Sequence, residues 1–287
     1  MGLISNILFP VDFSPSCVAM GPTVKRAAAI FGARVSLLHV FDPNSYSGLE
    51  VYVRGPVEIA EEHKEIARKK LDAFLHAEFP VAQHPRILSS GDVAATIAAK
   101  ARKGFDLIMM PTHAGAFRRT LLGSTTAKVL NDADCPVETS LHAETIAPRP
   151  MEHREWLCAI GLSKDSERVL RYAHQASAQA GAHLVILHAV QGNDPGLHAV
   201  VDLEEQIQTA ETRQAMERID ALQKKVGSHA QVRIVAGPVK NALIEGVRQS
   251  DADALIIGRV PQPTMQGRLR DLTYAMVRDS PVPVISV

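Results

Sequence analysis

Short apolar runs alternate along this chain with longer stretches in which apolar residues recur every three to four positions. Asn6 to Val11, Val35 to Val40, Arg86 to Leu88, Asp106 to Met110 and Pro136 to Ser140 read as strands. Ser16 to Phe31, Pro56 to Glu78, Asp92 to Lys103 and Ser124 to Asn131 read as helices between them. Strands that are apolar on both faces and separated by helices imply a parallel sheet covered on both sides. Right-handed crossovers then predict a doubly wound α/β layer.

The second half repeats the first. Leu157 to Ile160 answers the first strand, Leu184 to Ala189 the second, and Val232 to Val235 the third, with Gly237 following as Gly91 does. Asp253 to Ile257 answers the fourth, and Val282 to Val284 answers Cys135 to Val137. The offset stays at 147 to 149 residues, which signals an internal duplication. The joint falls in the polar stretch Leu141 to Glu155, where Pro148 and Pro150 continue neither helix nor sheet. The predicted division is a first domain over residues 1–143, a linker over 144–155 and a second domain over 156–287.

Bulk composition adds exclusions. With 287 residues and 46% hydrophobic side chains, the chain suffices for two ordinary domains. Lys+Arg and Asp+Glu both number 31, so net charge provides no attraction to nucleic acid or an anionic membrane. Neither is expected as a partner. Cys17, Cys135 and Cys158 are too few and scattered for a disulfide framework, and they read as small buried hydrophobes of a reducing cytoplasm. The N-terminus lacks the basic region of a signal peptide, and no run approaches the roughly 18 apolar residues of a membrane span. A soluble, cytoplasmic protein is expected.

The candidate chemistry lies in PTHAGAFRRTLLGSTTAK, Pro111 to Lys128. This small-residue loop passes Arg118 and Arg119 and reaches Gly123, Ser124, Thr125 and Thr126 where a helix is predicted to begin. Amides at a helix start and the helix dipole favour anions, and hydroxyls add donors. The loop lacks the lysine of a P-loop. Gly-Ser-Thr before a helix is equally an ordinary cap, and both readings stand at this point. Asp12 ends the first strand, where a carboxylate points into the crevice of an open sheet; with Ser14 and Pro15 following, it also reads as a helix cap.

PVDFS after strand one, LHV ending strand two, a histidine-bearing loop after strand four, and LLGS before a helix and CPV together resemble the universal stress proteins (UspA-like). The resemblance covers nearly the whole chain as two tandem copies. It implies two tandem doubly wound five-stranded parallel-sheet domains of the adenine nucleotide alpha hydrolase-like type, the copies paired as an intrachain pseudo-dimer and whole chains able to form a homodimer. It implies ATP or another adenine nucleotide, with Mg where phosphates require it. The family motif G-x2-G-x9-G-[ST] holds phosphates and ribose. By resemblance the base is lined by Pro10, Val11 and Val40, Asp12 accepts a hydrogen bond from the adenine amino group, and Met110 also belongs to the nucleotide site. The loop residues Pro111, His113, Ala114 and Gly115, then Gly123, Ser124, Thr125 and Thr126, complete the expected site.

Two departures bear on that expectation. Pro111 and Ala114 stand where the family has glycines, and the spacer to Gly123 is one residue short. Proline lacks an amide donor, and alanine resists the positive φ that glycine adopts freely. Gly115 is the candidate to take over the flexible position. His113 has no evident nucleophile or carboxylate beside it and reads as an ordinary hydrogen-bonding residue, so no catalytic residue is assigned. His39 and His188 occupy matching strand ends and read as structural; no metal-ligand spacing occurs. In the second half Gly161 replaces Asp12 and Arg270-Asp271 replace Gly123-Ser124, while Gly258 precedes a stiff Arg259 to Pro263 loop. That copy is expected to be a structural partner, the alternative being another anion held by Arg259, Arg268 and Arg270. The charged stretches Val51 to Lys70 and Leu203 to Lys225 read as exposed helices.

The reading that results is a tandem stress-response or regulatory protein whose N-terminal half binds adenine nucleotide without efficient catalysis. Its alternatives are a nucleotide-free interaction scaffold and a slow ATP hydrolase.

Overall fold

In a computed structural model, residues 2–41, 56–112, 122–140, 154–190, 201–259 and 268–287 are described, the side chains of 56–60, 201–209 and 268–271 excepted. The chain divides into two units, Met1–Pro148 and Arg149–Val287.

In the N-terminal unit the strands are β1 (Asn6–Pro10), β2 (Arg34–Phe41), β3 (Arg86–Ser90), β4 (Leu107–Pro111) and β5 (Val137–Ser140). They lie in the order β3-β2-β1-β4-β5, and each of these pairs is parallel. Among the described residues the helices between them are α1 (Pro15–Phe31), α2 (Pro56–Ala73), α3 (Val93–Ala101) and α4 (Ser124–Asp132). Consecutive residues Ile7, Leu8 and Phe9 are all fully buried, as are Leu107, Ile108 and Met109. Because neighbouring strand residues point to opposite faces, unbroken burial means both faces are covered.

The C-terminal unit repeats this with β6 (Glu155–Ala159), β7 (His183–Val190), β8 (Gln231–Ala236), β9 (Ala254–Ile257) and β10 (Val284–Ser286). Their order is β8-β7-β6-β9-β10, again with parallel pairs. Its helices are α5 (Ser166–Ala180), α6 (Val201–Val226), α7 (Val239–Arg248) and α8 (Arg268–Asp279). No helix among the described residues is long and apolar enough to cross a membrane.

The duplication extends to single hydrogen bonds. His39 Nδ1 lies 2.8 Å from the Val11 carbonyl, and His188 Nδ1 lies 2.7 Å from the Ile160 carbonyl. A carbonyl only accepts, so each Nδ1 carries the proton and ties the second strand to the end of the first. Gly91 and Gly237 hold φ of 128° and 130° after β3 and β8, and their amides reach Phe41 and Val190. Both positions demand the left-handed region that glycine enters without penalty.

Several boundaries differ from expectation. The second helix stops at Ala73 rather than Glu78, because Leu75 turns to φ 49° and its side chain comes within 3.1 Å of where a Gly21 Cβ would stand. Phe79 is thereby buried against Phe9, edge to face at 6.3 Å. The sixth strand starts at Glu155, inside the expected linker. The last strand begins at Val284, since Val282 and Pro283 only lead into it and Pro283 offers its carbonyl to Leu255. On α2, Lys64–Glu61 and Lys69–Glu65 form exposed ion pairs, which contribute little stability; residues 51–55 of that charged stretch lie outside the described residues.

Gly258, the counterpart of Pro111, is tightly enclosed. A Cβ there would lie 2.9 Å from Val169 Cγ2. Valine is stiff at χ1, so the neighbour yields only at a cost. Gly258→Ala is expected to lower stability by about 1–3 kcal/mol, the usual cost of overpacking, as read from denaturant unfolding midpoints.

Candidate functional site

In the N-terminal unit the chain runs from β1 outward to β2 and β3, then returns to place β4 and β5 on the other side of β1. The crevice between the carboxyl ends of β1 and β4 is therefore a topological switch point, where open α/β sheets bind ligands. A cleft of about 580 Å³ opens there. Pro10, Val11 and Asp12 line it from β1, Val40 from β2, and Met110 and Pro111 from β4. Gly123, Ser124, Thr125 and Thr126 close it from the start of α4. His113, Ala114 and Gly115, with Arg118 and Arg119, lie outside the described residues.

The two readings of Asp12 separate clearly. Ser14, not Asp12, caps α1: its side chain accepts from the Cys17 amide at 3.3 Å. Asp12 accepts the Ser14 amide at 2.9 Å and the Cys17 thiol at 3.1 Å, both on Oδ1, and is itself exposed. Between them Phe13 adopts φ 65°, its ring tilted over His39 at 4.3 Å and edge-on to Phe74 at 5.4 Å. Leu162 repeats this left-handed turn at φ 52°.

The two readings of Gly-Ser-Thr also separate. Gly123 occupies the cap position with φ −59° and ψ 140°, so Ser124 is already the first helical residue and no side chain caps α4. The Gly123 amide is committed to the Thr112 carbonyl at 3.0 Å. Among the described residues no side chain accepts from the amides of Ser124 and Thr125 that begin the helix, the arrangement that binds anions. Ser124 is exposed and Thr125 half-buried. Thr126 is buried and donates its hydroxyl to the Pro111 carbonyl at 3.1 Å, so it fastens the loop to the helix. Pro111 is half-buried and lines the cleft together with Gly123.

Sequence reasoning missed part of the lining. Leu38, Val93 and Ile97 form an apolar wall, with Leu122 beside it. The i, i+4 spacing of Val93 and Ile97 was visible, but which helix would cover the crevice was not. Cys17 and His39, read only as buried and structural, also face the cleft. Burial and then the neighbouring Asp12 charge push the Cys17 thiol up to about 12.

In the C-terminal unit the matching crevice is built differently. Gly161 supplies no carboxylate. Helix α8 starts at Arg268, so Arg270 and Asp271, which match Gly123 and Ser124, already lie within it; their side chains are outside the described residues. Thr273 still donates to Gly258 as Thr126 does to Pro111, at 3.4 Å, which marks that contact as architecture. Arg168 donates to the carbonyls of Arg259 and Val287, and Arg218 to that of Leu162 at 2.6 Å, engaging carbonyls around the strand ends. Gly161→Ala is expected to leave ligand affinity unchanged, as titration calorimetry of the variant would show, since a Cβ there meets nothing within 4 Å and Gly161 itself brings no carboxylate.

A larger cleft, about 710 Å³, lies at the amino ends of β6, β7 and β8, lined by Arg154, Glu155, His174 and His183 among others. It faces the C-terminal ends of α5 and α6, where the helix dipole disfavours anions. Among the described residues no group of three His, Cys, Asp or Glu is placed to hold a metal ion.

The sequence model of the universal stress protein family matches residues 4–138 and again 153–287. The chain belongs to the universal stress protein family. It carries two family domains in tandem. A universal stress protein from Archaeoglobus fulgidus superposes with a TM-score of 0.67 at 24% identity, covering 98% of this chain and 97% of that one. A functionally unknown protein from Pseudomonas aeruginosa superposes with a TM-score of 0.63 at 18% identity, over 99% of this chain and 92% of its own. At these identities the likeness shows the shared fold. No curated protein matches the sequence.

Proposed function

We propose that this tandem universal stress protein binds ATP or a related adenine nucleotide in the N-terminal cleft and uses the occupancy as a regulatory signal. The observation that carries the reading is the uncapped start of α4 facing Asp12 across an apolar crevice at the switch point. Phosphate takes the amides and hydroxyls of Ser124 and Thr125, with Mg supplying countercharge; the base takes the apolar wall; Asp12 accepts a donor from the nucleoside.

Efficient catalysis is not part of this proposal. The titratable side chains on the described lining are Asp12, Cys17 and His39. The thiol is held protonated and His39 Nδ1 is engaged by the Val11 carbonyl, and the proposal assigns no general base to Asp12 or to His39 Nε2. Nucleotide acts instead by favouring one conformational or oligomeric state through unequal affinity. Pairing of the two copies as a pseudo-dimer, homodimerisation and a cytoplasmic location belong to the same proposal.

A scaffold reading without nucleotide is favoured by one feature: Pro111 has no amide and its carbonyl is occupied by Thr126. Mass spectrometry of small molecules released from freshly purified protein, with calorimetric titration of Mg·ATP, decides between them. Released adenine nucleotide and saturable binding are expected; neither appearing would leave the scaffold.

A further inference from the structure

We propose that Cys17 is a positioning residue, which orients Asp12 so that its carboxylate meets the ligand through one oxygen only. This rests on the nucleotide reading of the N-terminal cleft.

Asp12 is exposed and sits on a turn just beyond β1, so its carboxylate would otherwise rotate. Two donors from the first turn of α1 and its cap converge on Oδ1: the Ser14 amide at 2.9 Å and Cys17 Sγ at 3.1 Å. They occupy that oxygen, and Oδ2 is the one left to accept from a ligand. The thiol is 2% exposed and also lines the cleft, so it acts from the floor of the site. Burial, and then the Asp12 charge, keep it protonated and therefore a donor at any working pH. The second copy serves as an internal comparison. Where Gly161 replaces the carboxylate, the position of Cys17 holds Ser166, whose amide instead donates to the Ser163 carbonyl at 3.2 Å. The thiol and the carboxylate are absent together.

The test uses the full chain, with Mg·ATP as probe. In calorimetric titration Cys17→Ala is expected to weaken binding about 5- to 10-fold, the scale of one hydrogen bond. Cys17→Ser, which restores a donor, is expected to stay within about 2-fold of wild type. A merely structural role would lower thermal stability without this split in affinity. Wild-type affinity in Cys17→Ala, or equal weakening in both variants, overturns the proposal. A second readout needs no ligand: the infrared S–H stretch of Cys17, isolated by difference against Cys17→Ala, in wild type and Asp12→Ala. A thiol that donates to the carboxylate is expected to absorb at lower wavenumber in wild type than in Asp12→Ala. An unshifted band overturns the thiol–carboxylate bond. If wild type binds no ATP while the band still shifts, the nucleotide reading falls and the bond stands.

Discussion

Glu138→Gln is expected to stabilise the protein at pH 8 by about 3 kcal/mol and at pH 5 by only about 1 kcal/mol. Glu138 lies on β5, 6% exposed, beside the fully buried Met109 of β4. No hydrogen bond or ion pair to its carboxylate occurs among the described residues, and burial alone pushes it up to about 7. In the unfolded chain the same group has the ordinary value of 4.5. Below that value both states hold the proton and the residue costs nothing. Between 4.5 and about 7 the unfolded chain releases its proton while the folded chain keeps it, so stability falls as pH rises. Above about 7 the folded carboxylate is charged and the full penalty applies. Glutamine keeps the shape and removes the titration. Melting curves of both proteins from pH 5 to 8 are expected to diverge with pH, reaching roughly 5–10 °C at the alkaline end. Parallel curves would show that the carboxylate is solvated in the folded state. The second copy already carries the apolar solution: Ile285, at the matching position of β10, is 1% exposed.

Asp12→Ala and Gly123→Val are each expected to weaken Mg·ATP binding about 10- to 100-fold in calorimetric titration. For Asp12 the reason is a charge-assisted hydrogen bond lost to the ligand, of the order of 1.5–3 kcal/mol. The change also leaves the Ser14 amide and Cys17 thiol without their acceptor, so the turn that shapes the cleft loosens. For Gly123 the reason is steric. Its φ of −59° suits any residue, so valine folds there without backbone strain. Gly123 lines the cleft beside Ser124 and Thr125, so a branched side chain there is expected to crowd the space proposed for phosphate. Unaltered affinity in both variants, in a wild type that binds, would move the ligand elsewhere. Unchanged melting temperature in Gly123→Val would confirm that its effect is on the site.

The strand ends were legible because a parallel strand buried on both faces is a short unbroken apolar run, and the residue after it is a crevice residue by topology. Asp12 could be named on that ground, and Gly123 from the small-residue loop that runs into a helix start. The role of Cys17 was not legible: nothing in a cysteine five positions after an aspartate says that the intervening Phe13 turns left-handed and folds the thiol back onto the carboxylate. The break at Leu75 was equally silent, since it depends on Gly21 offering space on another helix. Thr126 was read as a ligand hydroxyl, yet it bonds the Pro111 carbonyl, as Thr273 bonds Gly258.

By itself the sequence determined that the chain holds two copies of one βα unit, the alternation of strands and helices in each, and the asymmetry between Asp12 and Gly161. These follow from local periodicity and self-comparison, which need no knowledge of what lies nearby in space. Tertiary structure alone decided that α4 begins at Ser124 without a side-chain cap from Gly123 whereas α8 begins early enough to enclose its matching residues, that Asp12 receives two donors on one oxygen, and that Glu138 is buried with no partner among the described residues. Each of those depends on which atoms meet across long separations in the chain, and hydrogen bonding and desolvation are set by that proximity.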